Sequence, residues 1–117
     1  MESFRYAVAG LRYALASQRN FRIHLAAALS VVLLAFWLQV PPQSWAVLAV
    51  TVGAVLVTEM FNTAAETLVD LVSPDYHPMA KQVKDLAAGA VLIMAIVSVL
   101  VGLLVLGPPL WLRLGLG

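Results

Sequence analysis

Hydrophobic and polar positions divide this chain into four stretches. Over residues 1–17, Phe4, Val8, Leu11 and Leu15 recur at intervals of three or four, while Arg5, Arg12 and Arg19 recur every seven on another face. A basic helix with an apolar face suits the interface between lipid and water. The polar break Ser17-Gln18-Arg19-Asn20 follows. Residues 23–40 are apolar except for His24, Ser30 and Gln39, a run at the short end for one membrane crossing. Pro41-Pro42-Gln43-Ser44 reads as an uncharged turn, flanked by Trp37 and Trp45 as in an interfacial aromatic belt. A second apolar run starts at Trp45, and its helical periodicity continues to Leu71. After the turn-rich Ser73-Pro74-Asp75-Tyr76-His77-Pro78, the residues Lys81, Lys84 and Asp85 precede a third apolar run over 86–106. Gly107-Pro108-Pro109 is expected to end it, leaving Trp111 and Arg113 in a short tail. The pattern predicts an all-α membrane protein in one domain, residues 1–117, with a surface helix over about 2–17 and spans over about 22–40, 45–70 and 82–106.

Composition supports this reading. The chain is 62% hydrophobic and 11% charged, with a mean hydropathy of +0.95. Soluble domains have about 45–50% apolar and about 25% charged residues. A net charge of +1 implies no nucleic-acid partner. The lack of cysteine excludes a disulfide framework, a thiolate metal site and a cysteine nucleophile. Arginines interrupt the first stretch, and the first long apolar run begins only after Arg22, so no cleaved signal peptide is expected. The nucleotide-binding, metalloprotease and serine-hydrolase motifs of soluble enzymes are missing from the sequence.

Lysine and arginine placement sets the orientation. Arg5, Arg12, Arg19 and Arg22 lie in the N-terminal segment and Lys81 and Lys84 in the second connection; the first connection has none and the tail only Arg113. The N-terminus and second connection are therefore expected to face the cytoplasm.

Candidate chemistry concentrates in Glu59-Met60-Phe61-Asn62-Thr63-Ala64-Ala65-Glu66-Thr67-Leu68-Val69-Asp70. With Glu59 at zero on a helical wheel, Asn62 falls at about 300°, Glu66 at about 340° and Asp70 at about 20°. Four polar groups thus share one narrow face, opposite Met60, Phe61, Ala64, Leu68 and Leu71. A polar stripe in a span faces protein or a watery cleft and marks function. Counting from Trp45, Glu59 lies about 8 Å inside the hydrocarbon edge, with Glu66 and Asp70 at or beyond it.

Two readings of the stripe compete. In the structural one, Lys84 pairs with Glu66 or Asp70, and Asn62 bonds across helices. In the functional one, carboxylates and an amide bind a hard cation and phosphates, Lys84 neutralises phosphate charge, and the deepest carboxylate acts as base on a lipid hydroxyl. The residues alone leave phosphoryl transfer and ion conduction both open. His24 reads as a packing histidine, for want of any ligand spacing. His77 reads either as a nucleotide contact or as part of a turn, and Tyr6 and Tyr13 as interfacial anchors.

The twelve residues from Glu59 to Asp70 resemble the signature of the small bacterial membrane lipid kinases, the diacylglycerol kinase and undecaprenol kinase family. Gly10-Leu11-Arg12, Asn20-Phe21-Arg22, Asp75-Tyr76-His77 and Lys84-Asp85 extend the resemblance over nearly the whole chain. It implies a surface helix and three membrane helices, assembled as a homotrimeric bundle whose active sites are shared between subunits. It implies ATP as phosphoryl donor, Mg²⁺ as cofactor and a membrane lipid alcohol as acceptor. By position, Glu59 resembles the catalytic base and Glu66 the metal-holding glutamate. Tyr6, Glu66, Asp75, His77, Lys84 and Asp85 match nucleotide-contacting positions, and Asn62 and Asp70 match supporting polar residues. A second metal-binding glutamate is usual before Asn20-Phe21-Arg22, and this chain has Gln18 there, which offers an oxygen but no charge. The segments over 19–25 and 84–91 look more like the undecaprenol branch, with diacylglycerol as the alternative acceptor. A small ion or proton conductor and a structural membrane protein are the competing classes.

Overall fold

The computed structural model describes residues 2–117, and among them every regular element is an α-helix. Helix α1 is Glu2–Ser17, α2 is Arg19–Leu38, α3 is Pro42–Val72 and α4 is Pro78–Arg113. The last three are long and apolar enough to cross a membrane. Together they form the all-α membrane architecture that the hydrophobic pattern predicts.

The break between α1 and α2 is a single residue, narrower than the polar run suggests. Gln18 is extended, with φ −108° and ψ 107°. Its N–H still reaches the Ala14 carbonyl at 3.0 Å, and its carbonyl accepts from the Arg22 N–H at 3.2 Å. The Leu15 and Ala16 carbonyls that the end of α1 leaves free are taken by a side chain of α2, and a serine adds a bond one turn back. The Arg22 guanidinium donates to Leu15 and Ala16 at 3.0 and 3.1 Å, and Ser17 Oγ donates to Tyr13 at 2.5 Å. Buried Ala14 and Phe21 fill the inside of this elbow.

The hairpin between α2 and α3 is also tighter than expected. Helix α2 ends at Gln39 in the left-handed conformation, φ 55°. The Gln39 N–H bonds the Phe36 carbonyl and the Val40 N–H the Ala35 carbonyl, which closes the helix end. Pro42 is already the first residue of α3, where its missing N–H costs no helical bond. Phe36 and Trp45 meet edge to face across the hairpin, with ring centroids 4.8 Å apart. Beneath them, Ala35, Leu38, Val40, Leu48 and Leu106 form the buried core.

Helices α3 and α4 are joined through the connection from Ser73 to His77 and form the most extensively packed pair. With 31 residues, α3 is about 46 Å long, against a hydrocarbon thickness of about 30 Å. Entering beside Trp45, it must emerge by several turns, which carries its polar end into water. His77 caps α4, its Nδ1 accepting from the Met79 N–H at 3.1 Å, and Pro78 takes the first helical position.

One expected boundary is corrected. Pro108 and Pro109 do not end the third span; α4 runs through them to Arg113, so Trp111 and Arg113 are helical. Each proline removes a backbone donor and crowds the preceding turn. Packing holds the helix beyond them. Leu106 is buried in the core, Leu110 lies against it, and the Arg113 guanidinium sits 4.8 Å over the Trp37 ring.

Candidate functional site

The site is built on the C-terminal half of α3. Just over three turns of this element carry Glu59, Asn62, Glu66 and Asp70 on one side, and their surroundings change steadily along the axis. Glu59 is 2% exposed and Asn62 half-buried, whereas Glu66 and Asp70 are exposed. The stripe therefore runs from the protein interior to the surface.

The intervening threonines are satisfied within the helix. Thr58, Thr63 and Thr67 donate to the carbonyls four residues back at 2.6, 3.1 and 2.8 Å. They make no demand on the carboxylates. Glu59 Oε2 is fully enclosed and has no hydrogen-bond partner. Three residues on, Asn62 Oδ1 is enclosed and equally unpartnered, while its Nδ2 donates to Glu66 Oε1 at 3.4 Å. Two orphaned acceptors on one helix face form a donor- or cation-seeking pair, because a buried acceptor without a partner is costly. Asn62 thus bonds along its own helix and not across to another.

Helix α4 supplies the cations. Lys84 Nζ lies 2.6 Å from Asp70 Oδ1, and Lys81 Nζ 2.5 Å from Asp85 Oδ2. Both pairs are exposed, and such pairs contribute only about 0–1 kcal/mol to stability. The Lys84–Asp70 pair is the one the structural reading of the stripe anticipated. It ties the ends of α3 and α4 together and sets positive charge one turn beyond Glu66.

Other sequence candidates stand apart from this cluster. Tyr6 projects from α1 and is 69% exposed. Asp75 is exposed in the α3–α4 connection, where its carbonyl accepts from Ser73 Oγ at 3.0 Å. His77 spends Nδ1 on capping α4. Gln18 lies at the elbow, its Nε2 donating to Ser17 Oγ at 3.3 Å. Among the described residues, no three histidine or carboxylate groups come close enough to hold a metal ion between them. Mg²⁺ needs only one or two carboxylates, with waters and substrate phosphates completing its shell. Glu66 is exposed and offers one carboxylate to such a shell, while Asn62 turns its Nδ2 towards Glu66 and keeps its Oδ1 enclosed.

One neighbour of the stripe escapes the sequence reading. His24 Nε2 on α2 lies 3.6 Å from Glu59 Oε2. The signal was present but faint: His24 and Glu59 lie at nearly equal chain distances from Pro41. In an antiparallel hairpin, residues equidistant from the turn face each other. Outward from His24, an apolar cavity of about 360 Å³ opens between α2, α3 and α4, lined by Ala27, Ala28, Val52, Val55 and Gly102 among others.

Similarities to known proteins converge. The sequence pattern of the family described as prokaryotic diacylglycerol kinase matches residues 5–106. A Synechocystis sp. protein named diacylglycerol kinase is 51% identical over 109 residues, which is 92% of this chain and 62% of that protein. The chain thus spans less than two thirds of this relative's length. A Bacillus subtilis protein named undecaprenol kinase is 38% identical, over 93% of this chain and 89% of its own length. An Escherichia coli K12 protein named diacylglycerol kinase is 36% identical, over 81% and 78% respectively.

Proposed function

This chain belongs to the prokaryotic diacylglycerol kinase family, and from that membership we propose that it moves the γ-phosphate of ATP to the hydroxyl of a membrane lipid. The observation that carries the proposal is the buried Glu59 carboxylate, whose enclosed oxygen lacks a partner within a helix long and apolar enough to span a membrane. A carboxylate at that depth meets a lipid hydroxyl sooner than it meets a soluble substrate.

In the proposed reaction, Glu59 takes the proton of the lipid hydroxyl. The hydroxyl oxygen bonds to the γ-phosphorus as the bond to the bridging oxygen breaks, and ADP leaves. Little covalent work falls to the protein, so positioning and charge dominate. Glu66, with Asn62 beside it, would hold Mg²⁺, which screens phosphate charge when bound. Lys84 adds positive charge at the water-facing end, and Asp70 holds it there. Tyr6, Asp75, His77 and Asp85 complete the nucleotide side at the cytoplasmic surface. Gln18 stands where a second metal-holding carboxylate is usual. A homotrimer with active sites shared between subunits is the assembly that the resemblance to this family implies.

Undecaprenol is the acceptor favoured by the local match over residues 19–25 and 84–91. Diacylglycerol is the second reading, favoured by the name of the 51% identical relative. Presenting both lipids in equal amounts with ATP and magnesium separates them. Undecaprenyl phosphate as the main product supports the first reading, and phosphatidic acid as the main product overturns it.

A further inference from the structure

His24 is the sole charge-capable side chain on α2 within the apolar stretch, and nothing in the reaction above uses it. Among the described residues, its one ionisable neighbour within salt-bridge range is Glu59, at 3.6 Å. That separation is slightly beyond a hydrogen bond, and it falls on the very oxygen that lacks a partner, Oε2. The imidazole is mostly buried and also lines the apolar cavity. His24 therefore stands between the carboxylate and the space in which an apolar chain can lie. Hydrogen bonds in sites without substrate are commonly long and tighten when the substrate arrives.

We propose that His24 is a positioning residue for the Glu59 base. Its Nε2–H donates to Oε2, fixes the rotamer of the carboxylate and leaves Oε1 to receive the lipid hydroxyl. The imidazole exchanges no proton in the cycle. The hydroxyl proton ends on Oε1, and the phosphoryl group passes to the lipid oxygen. A packing role alone would not require a donor facing an enclosed, unpartnered oxygen. The proposal rests on the kinase reading above for its role, and on the His24–Glu59 geometry for the contact itself.

Two measurements test it on the full chain in lipid or detergent. The first compares transfer kinetics of the wild type, His24→Leu and His24→Gln, each checked for intact assembly. Leucine fills space without a donor; glutamine keeps an N–H. His24→Leu should lower kcat by about 10- to 100-fold with the KM for ATP essentially unchanged, since a misplaced reacting group costs that much. His24→Gln should recover most of the loss. Wild-type kcat in His24→Leu, or equal loss in both variants, overturns the positioning role. The second is ¹⁵N NMR of the imidazoles, with only two histidines to assign. It should show His24 protonated at Nε2, with resonances that move in Glu59→Gln. A His24 spectrum insensitive to Glu59→Gln overturns the contact. The spectrum needs no turnover, so a wild type that phosphorylates neither lipid removes the kinase reading while the contact is judged separately.

Discussion

At the scale of single residues, the chain separates roles by depth. Glu59 is enclosed, Asn62 is half-buried, and Glu66 and Asp70 reach the surface. This gradient was legible in the sequence, because helical periodicity places the four on one face and the apolar run before them sets their depth. The partner of Glu59 was not legible in the same way. His24 carries no ligand spacing on its own helix, and only the register of the α2–α3 hairpin brings it to the carboxylate. Two predictions belong here. Glu59→Gln should lower turnover by about 10²- to 10⁴-fold, the range for loss of a general base, with assembly unchanged by gel filtration. Gln18→Glu should add a carboxylate at the elbow and shift half-maximal activation to lower magnesium. An unaltered magnesium dependence would remove position 18 from the metal site.

At the scale of elements, composition and periodicity foretell the four helices, and local chemistry decides their ends. The turns at Pro41 and Pro74 fall where proline and small polar residues predict them. The other proline pair does not stop its helix. Pro108 and Pro109 lie within α4 because Leu106, Leu110 and Arg113 are held by the core and by Trp37. Those contacts depend on residues far earlier in the chain, from Ala35 to Leu48, which no local rule senses. The end of α2 shows the opposite case: a purely local cost. Gln39 adopts φ 55° without being glycine or asparagine, a conformation that costs an ordinary L-residue about 1 kcal/mol. Gln39→Gly should raise thermal stability in detergent by up to about 1 kcal/mol. A lower melting temperature would mean that the Gln39 side chain contributes more than its backbone costs.

At the scale of the whole molecule, the three long helices leave most of their large apolar side chains uncovered. Leu104 is 77% and Val50 74% exposed. Lipid or a partner surface is what such an apolar surface requires. The buried core is small and lies toward the α2–α3 hairpin, away from the carboxylates. The ends that carry the carboxylates are joined by the elbow at Gln18, by buried Ala14, Phe21, Glu59 and Thr63, and by the Lys84–Asp70 pair. The homotrimer proposed above would cover part of this surface and complete the site between copies of the chain. The mass of the purified protein in detergent micelles, corrected for bound detergent, should equal three chains. A monomer that retains full activity would rule out shared sites.

The central claim is that a buried carboxylate on a membrane helix serves phosphoryl transfer to a lipid. Its most direct test is transfer of ³²P from labelled ATP, with magnesium, to undecaprenol and diacylglycerol side by side, by the wild type and by Glu59→Gln. Labelled lipid is expected from the wild type, with undecaprenol preferred, and almost none from the variant. Labelled lipid at equal rates from both proteins, or none from well-folded wild type with either acceptor, would contradict it.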